Sequence, residues 1–423
     1  MYSNSTWLLT TLPAANKFFS CLRLPLPVGA GQLPTPSDWQ NVRFCAVFMK
    51  KPLLAGLAAL SLSTALAQTT PTTTPDLAVP PAAAPVEAKP GPLTYYAFVD
   101  GYYGYDFNHG NTNVRPGFLY SHNRQNEFTI NQGLVGVRYD DGQVRGAVGL
   151  HAGSYVSANY ANEDQVFKHI YEAYAGFRPF KKAWLDLGIF GSHIGFESAI
   201  SKDNWTLTRS IMAENSPYYE SGARFTYEVG PKLTLTALVL NGWQNIRETN
   251  QAKAVGTQIQ WKPTDKLLIN SSTFYGNEQP TDSLIRRYFH DFYITYAATE
   301  RLNMAVVFDV GKQQSASHHG YDTWHAGSAF VKYKLTDKFS TTLRGEYYYA
   351  DRGVIINSIK PTATDANFRV AGGSLNVDYA PTSNVLFRVE GRYLHAKDYI
   401  FQESDGRNAN GYGNLTTSIA LSF

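Results

Sequence analysis

From Leu93 to the C-terminal Phe423 the chain alternates apolar and polar residues with a period of two, and the links between the alternating stretches are in turn very short and long. In Leu233-Thr234-Leu235-Thr236-Ala237-Leu238-Val239 the odd positions are apolar. Phe339, Leu343, Tyr347 and Tyr349 alternate with Ser340, Thr342, Arg344 and Glu346, and Phe387 and Val389 with Arg388 and Glu390. Such a period belongs to strands with two unlike faces. Short turns are read at Asp140-Asp141-Gly142, Pro179 to Lys182, Gly230-Pro231-Lys232, Pro263 to Lys266, Thr299-Glu300-Arg301, Thr336-Asp337-Lys338 and Pro381 to Asn384. Between them lie eight segments rich in Asn, Ser, Asp and Gly: 106–126, 156–168, 190–217, 242–252, 276–286, 312–321, 350–366 and 396–411. Seven turns and eight loops separate sixteen strands.

An even strand number, with short turns at one end and long loops at the other, is the pattern of an outer-membrane barrel. Each stretch is long enough to supply the ~9–11 residues a tilted strand needs to cross the hydrocarbon layer. Composition excludes the alternatives. Charged residues make up 17% of the chain, below the ~25% usual for soluble domains. A mean hydropathy of −0.28 is too polar for a bundle of membrane helices. Aromatic residues crowd the strand ends: Tyr95, Tyr102, Tyr103, Tyr139, Tyr218, Tyr219, Trp261, Tyr275, Tyr288, Trp324, Tyr347, Tyr349, Tyr393 and Tyr412 are expected to form the two interfacial girdles. The expected fold is all-β: a closed transmembrane antiparallel barrel of about sixteen strands, with periplasmic turns and extracellular loops.

Met49-Lys50-Lys51, the apolar run from Pro52 to Leu66 and Ala65-Leu66-Ala67 before Gln68 have the three parts of a secretory signal peptide, 49–67. Residues 1–48 show no strand or helix period, so Met49 is read as the initiator and 1–48 as an extension outside the protein proper. Without residues 1–67 the chain keeps 32 basic and 33 acidic side chains and neither Cys21 nor Cys45. The basic balance of the full chain therefore makes no case for nucleic-acid binding, and the exported fold uses no disulfide. Seven prolines between Gln68 and Pro92 mark 68–92 as a disordered periplasmic linker. The barrel is expected to occupy 93–423.

The stretch Leu187-Gly188-Ile189-Phe190-Gly191-Ser192-His193-Ile194-Gly195-Phe196-Glu197, then Asn204-Trp205, Thr208-Arg209-Ser210 and Ser216 to Arg224, resembles the OmpL-like porin family of outer-membrane β-barrels, found widely in Bacteroidetes. The terminal Leu421-Ser422-Phe423 resembles the aromatic ending accepted by barrel assembly machinery. The resemblance implies an outer-membrane channel and no catalytic residue. The partners it implies are outer-membrane lipids, the assembly machinery at Phe423 and small polar solutes; a homotrimer is the expected assembly.

If the apolar parity faces lipid, the other parity faces the lumen. The pore-lining candidates are Arg138, Arg145, Arg178, Arg224, Arg344, Glu346, Arg388, Glu390 and Arg392, within a wider set that adds Lys332, Lys334, Asp100, Glu172, Asp186, Glu220, Glu228, Asp309 and Asp378. Nine charges of each sign predict a water-filled pore with weak ion preference. The alternative is that Arg344, Glu346, Arg388 and Glu390 pair with neighbouring strands and merely fill or brace a closed interior. The segment 190–217 is the third long loop and the longest. In sixteen-stranded general porins that loop folds into the lumen, and by analogy Ile194, Phe196, Ile200, Trp205, Leu207, Ile211 and Met212 are expected on the inner wall. His193, Glu197, Lys202, Asp203, Arg209 and Glu214 would then border the constriction. His318-His319 with His325, or His290-Asp291, could supply metal ligands, but His318 and His319 are adjacent in an expected exposed loop and no set of three or four converging ligands is read. No Ser-His-acid set stands out, so neither enzyme chemistry nor a cofactor is expected. Against a porin-like channel for passive diffusion stand a non-channel structural or adhesion barrel and an outer-membrane hydrolase.

The leader generates the first prediction. Protein from outer-membrane fractions should begin at Gln68 by N-terminal mass spectrometry; peptides covering Ser3 to Arg43 would overturn that reading.

Overall fold

The computed structural model describes residues 92–110, 112–278, 285–316, 319–356, 358 and 367–423, together with the backbone of a two-residue antiparallel ladder between Arg23–Leu24 and Val42–Arg43. The chain divides into two units, 1–84 and 85–423. That ladder, in a segment expected to hold no strand, is what is described of the first unit. The signal-peptide and linker readings fall outside the described residues, as does His318.

Sixteen strands of the second unit form one closed barrel. They are β1 (Leu93–Asp106), β2 (Phe128–Asp140), β3 (Val144–Ala152), β4 (Ile170–Phe177), β5 (Ala183–Gly191), β6 (Tyr219–Gly230), β7 (Leu233–Leu240) and β8 (Ala254–Thr264). The second half comprises β9 (Leu267–Asn277), β10 (Arg286–Ala297), β11 (Leu302–Gln314), β12 (Tyr321–Lys334), β13 (Phe339–Ala350), β14 (Phe368–Thr382), β15 (Val385–Ala396) and β16 (Gly411–Ser422). Each strand pairs antiparallel with its sequence neighbours. The circle closes where β16 meets β1, Leu421 opposite Val99, and Phe423 and Ala97 exchange both backbone hydrogen bonds at 3.0 and 3.4 Å. Closure leaves no strand edge, the condition for a sheet in lipid.

All seven short turns lie where the sequence places them, and their side chains show why. Asp141 accepts from the amides of Gln143 and Val144, and Gly142 supplies the positive φ of 86°. In the turns without glycine, Thr299 and Thr336 do the same with a hydroxyl. Each accepts from the amides two and three residues on, at 3.0 to 3.2 Å. The threonine, rather than the charged residues beside it, carries the turn.

The parity assignment follows the register. Val239, Leu343 and Val389 are 46 to 58% exposed on the outer face. Leu238, Thr342 and Arg388, one residue away, are buried inside. The girdle expectation is corrected at five positions: Tyr218 lies in the loop after β5 and packs on Tyr155, and Tyr102, Tyr219, Trp324 and Tyr412 turn inward and are buried. The latter four stand at the inward parity of their strands, so register overrides position along the strand. Trp324 and Tyr412 join a continuous apolar filling that includes Phe274, Phe289, Phe330 and Tyr348, and Tyr219 joins a second one with Tyr155 and Tyr160. The interior is therefore packed over much of its height.

Among inward threonines, Thr236 and Thr342 are buried and leave no room for a larger side chain. The half-buried Thr234, opposite Glu228 at the short-turn end, is the lenient interior position. Replacing Val239, Leu343 or Val389 by Arg should cost roughly 2–4 kcal/mol near mid-membrane, and Thr234→Arg less than about 1 kcal/mol. Denaturant titration in bilayers checks this, and equal losses at both faces would contradict the parity.

Candidate functional site

The third loop, residues 192–218 between β5 and β6, folds into the barrel, and charged side chains of the wall hold its backbone. It begins at His193, whose Nδ1 lies 2.9 Å from Glu220 of β6 and whose Nε2 lies 2.9 Å from the carbonyl of Thr273 on β9. The imidazole rests over Gly256, where a Cβ would collide with it. Burial by itself lowers the imidazole pKa, but the Glu220 carboxylate, the Thr273 carbonyl and Asp291 together outweigh it and hold His193 above its usual value. The His193 carbonyl accepts from Gln258 and Ser272. The loop then crosses to the opposite wall.

There the contacts are charge-assisted hydrogen bonds to backbone. Arg388 donates to the carbonyls of Ser201 and Asn204 at 2.6 and 3.0 Å while pairing with Asp378 at 2.8 Å. Arg344 donates to Thr206 and Thr208 and pairs with Glu390 at 2.9 Å. Glu390 accepts the Thr208 amide, Asn376 the Leu207 amide and Glu346 the Ile211 amide. Arg392 completes the set by pairing with Glu346 at 2.8 Å. Lys202 reaches the carbonyl of Ser383 in the short turn between β14 and β15, so the loop descends to the short-turn end. The arginines and carboxylates of β13 to β15 thus pair across these strands, Arg388 of β15 with Asp378 of β14 and Arg344 of β13 with Glu390 of β15, and hold the loop.

The polar residues of the loop depart from their expected place at a water-filled constriction. Glu197 accepts the Ser210 amide at 3.1 Å, and burial pushes its carboxyl above the ordinary range against the pull of Arg344. Arg209 lies over the rings of Tyr155 and Tyr218 at 4.2 and 4.1 Å. Glu214 accepts the amides of Tyr120 and Ser121, tying the loop to the first one. His193, Glu197, Arg209 and Glu214 are buried, Lys202 is half-buried and Asp203 is exposed. A loop lying against a wall must satisfy its backbone there, and these side chains serve that end. Of the apolar set, Ile194, Leu207, Ile211 and Met212 are buried, and Phe196 meets Trp205, Tyr293 and Phe330 edge-on or tilted.

The wall from β2 to β6 is built otherwise. In one row Tyr96 stands opposite Gly136, Gly136 opposite Gly149, and Gly149 opposite Glu172. The Tyr96 ring lies across both glycines, where any Cβ would overlap it, and its hydroxyl donates to Glu172 at 2.5 Å. Arg138 sits 4.5 Å over that ring and also binds Glu172. In a second row Arg145 faces Gly176, Gly176 faces Asp186 and Asp186 faces Arg224. Gly176 opens the gap through which Arg145 reaches Asp186 at 2.6 and 2.7 Å, and Arg224 takes the same carboxylate at 2.9 Å. Arg145 and Arg178 both stack on Trp184, at 4.3 and 4.6 Å. The Arg138 side chain is 50% exposed, and those of Arg145 and Arg224 are 22 and 21% exposed. Sequence reasoning named these arginines but passed over Tyr96, Trp184 and the glycines. Glycines at inward parity beside an aromatic or charged partner are the signal it could have used.

Among the described residues no group of three or more His, Cys, Asp and Glu is arranged to hold a metal. His325 stacks on Tyr349, and His290 bonds Ser271 on the outer face.

The family described as "Putative beta-barrel porin-2, OmpL-like" matches residues 92–423. Among curated proteins none matches the sequence. Solved structures with the same architecture include the anion-selective porin from Comamonas acidovorans, with TM-score 0.54 and 8% identity, covering 78% of this chain and 99% of that one. The channel DcaP of Acinetobacter baumannii gives TM-score 0.54 and 14% identity over 78 and 97% of the two chains. Outer-membrane-expressed OmpT of Vibrio cholerae gives 0.52 and 10% over 78 and 97%. At such identities the likeness is one of fold.

The glycine gap generates a test of this geometry. Gly176→Val should drive Asp186 off Arg145 and cost about 1–3 kcal/mol by overpacking. Gly345→Ala, where a Cβ meets nothing within 4 Å, should be close to neutral in the same denaturant titration.

Proposed function

The chain belongs to the OmpL-like β-barrel porin family, and from that premise we propose that it is an outer-membrane channel for passive diffusion of small polar solutes and ions, its conductance set by the third loop. The observation that carries this reading is the division of the interior. Along β13 to β15, Arg344, Arg388 and Glu390 are buried under the loop. Along β2 to β8 toward the short-turn end, Arg138, Thr226, Thr234 and Gln260 keep accessible surface. A sixteen-stranded barrel is wide enough for an aqueous lumen, and here a single segment of chain occupies much of it. The route for solute is the space the loop leaves on the β2 to β8 side. The reading includes export by the signal peptide, insertion through the terminal Phe423 and assembly as a homotrimer. It includes no catalysis and no cofactor.

The buried braces favour a second reading, a closed structural barrel, and bilayer recording separates the two. Wild-type protein should show small, stable conductance steps. Deleting residues between Ser198 and Thr208 removes the anchors of Arg388, Arg344 and Lys202 and should raise the conductance several-fold. Arg209→Glu, set between two tyrosine rings beside Glu214, should unseat the loop and raise conductance rather than merely shift ion preference. A silent wild type together with a silent deletion variant would select the closed barrel.

A further inference from the structure

Three guanidiniums gather at the short-turn end of β3 to β6, and two of them share one carboxylate. Asp186 is buried and bonded by both Arg145 and Arg224. Arg178, directly after β4, has Trp184 as its partner through its ring face, and its Nε is buried with no hydrogen-bond acceptor among the described residues. The other nearby acids are Asp140, exposed opposite Arg145 and accepting the Gly142 amide, Glu172, which is taken by Arg138 and Tyr96, and Glu228, which lies four residues along β6 from Arg224, about 13 Å at strand rise, so three guanidiniums face two carboxylates, Asp186 and Asp140. The cluster therefore carries an excess of positive charge, with Arg145 and Arg178 held by stacking on Trp184 and Arg224 by stacking on Phe190. Like charges confined beside a low-dielectric wall favour a counter-anion.

We propose that Arg145, Arg178 and Arg224 around Trp184 form a binding site for small carboxylate or phosphate anions at the short-turn mouth of the barrel. The chemistry fits the class: the planar guanidinium presents paired N–H donors that match the oxygens of a carboxylate or phosphate. Stacking on Trp184 and the bond to Asp186 hold those planes before an anion arrives, which lowers the entropy cost of binding. Gly176 serves the site by letting Arg145 and Asp186 meet across β4. In place of the weak preference expected from nine lumen charges of each sign, passage on this side favours anions, because the compensating charges lie under the third loop. The site rests on the channel reading for its role in solute selection, but its occupancy can be measured without current.

Inorganic phosphate titrated into refolded protein in detergent, followed by calorimetry, should bind saturably. Arg178→Gln and Arg145→Gln should each weaken that binding about tenfold, in line with the loss of one charge-assisted contact. Arg178→Lys should recover part of it, and Arg407→Gln, on the exposed eighth loop, should leave it unchanged. Strand content by circular dichroism certifies that each variant is folded. In a potassium chloride gradient the reversal potential should show anion preference that Arg178→Gln reduces. Absence of saturable phosphate binding, or equal binding in wild type and Arg178→Gln, would overturn the anion site whatever the conductance. Phosphate binding that depends on Arg178 in a protein without conductance would uphold the site and overturn the channel.

Discussion

Every backbone amide in the hydrocarbon layer must find its partner within the protein, because no water is there to offer one. The rest of the structure depends on this constraint. Sixteen strands meet it by closing on themselves, and the terminal Phe423 takes part by pairing with Ala97. Closure dictates the alternation of faces. Val239, Leu343 and Val389 look into lipid because Leu238, Thr342 and Arg388 look inward, and no strand can change that parity without losing its register.

A closed circle of sixteen strands creates an interior that side chains from the wall alone do not fill. The third loop enters it and transfers the backbone problem from the lipid side to the lumen. Its amides and carbonyls, withdrawn from water, are met by Arg344, Arg388, Glu346, Glu390 and Asn376. Buried charges are costly unless paired and hydrogen-bonded, and these are both. Each guanidinium has a carboxylate from the wall and a stretch of loop backbone. The arrangement fixes one path for the loop among the many an unbraced segment could take.

Arginine thus has two uses in one lumen. On β13 to β15 the guanidiniums face carboxylates of like number and vanish beneath the loop. On β2 to β6 they lie flat on Tyr96, Trp184 and Phe190, with glycines beneath or between them, and keep part of their surface open. Glycine makes the second arrangement possible, since a side chain at Gly136, Gly149 or Gly176 would stand where the ring or the ion pair lies. A count of charges over the whole lumen averages two surfaces that differ in what they offer a solute.

The sixteen strands, the positions of the seven turns and eight loops, and the lipid-facing parity are all legible in the amino-acid sequence. They are local properties: a period of two, a threonine or aspartate that can accept from the next amides, a run of polar residues too long for a turn. The inward course of the third loop is also legible, from apolar residues such as Leu207 and Ile211 that water would not accommodate. Which tyrosines form the girdles is not, because Tyr95 and Tyr102 differ only in parity relative to a barrel not yet closed. The roles of Arg209 and Glu214 are hidden for a deeper reason. Their partners, Tyr155 and Ser121, lie dozens of residues away in chain sequence and meet them only when three loops converge. The sequence by itself determined the wall of this protein. Which charges in that wall remain open to solute was decided by tertiary structure, since burial belongs to a whole assembly of chain and not to any residue in it.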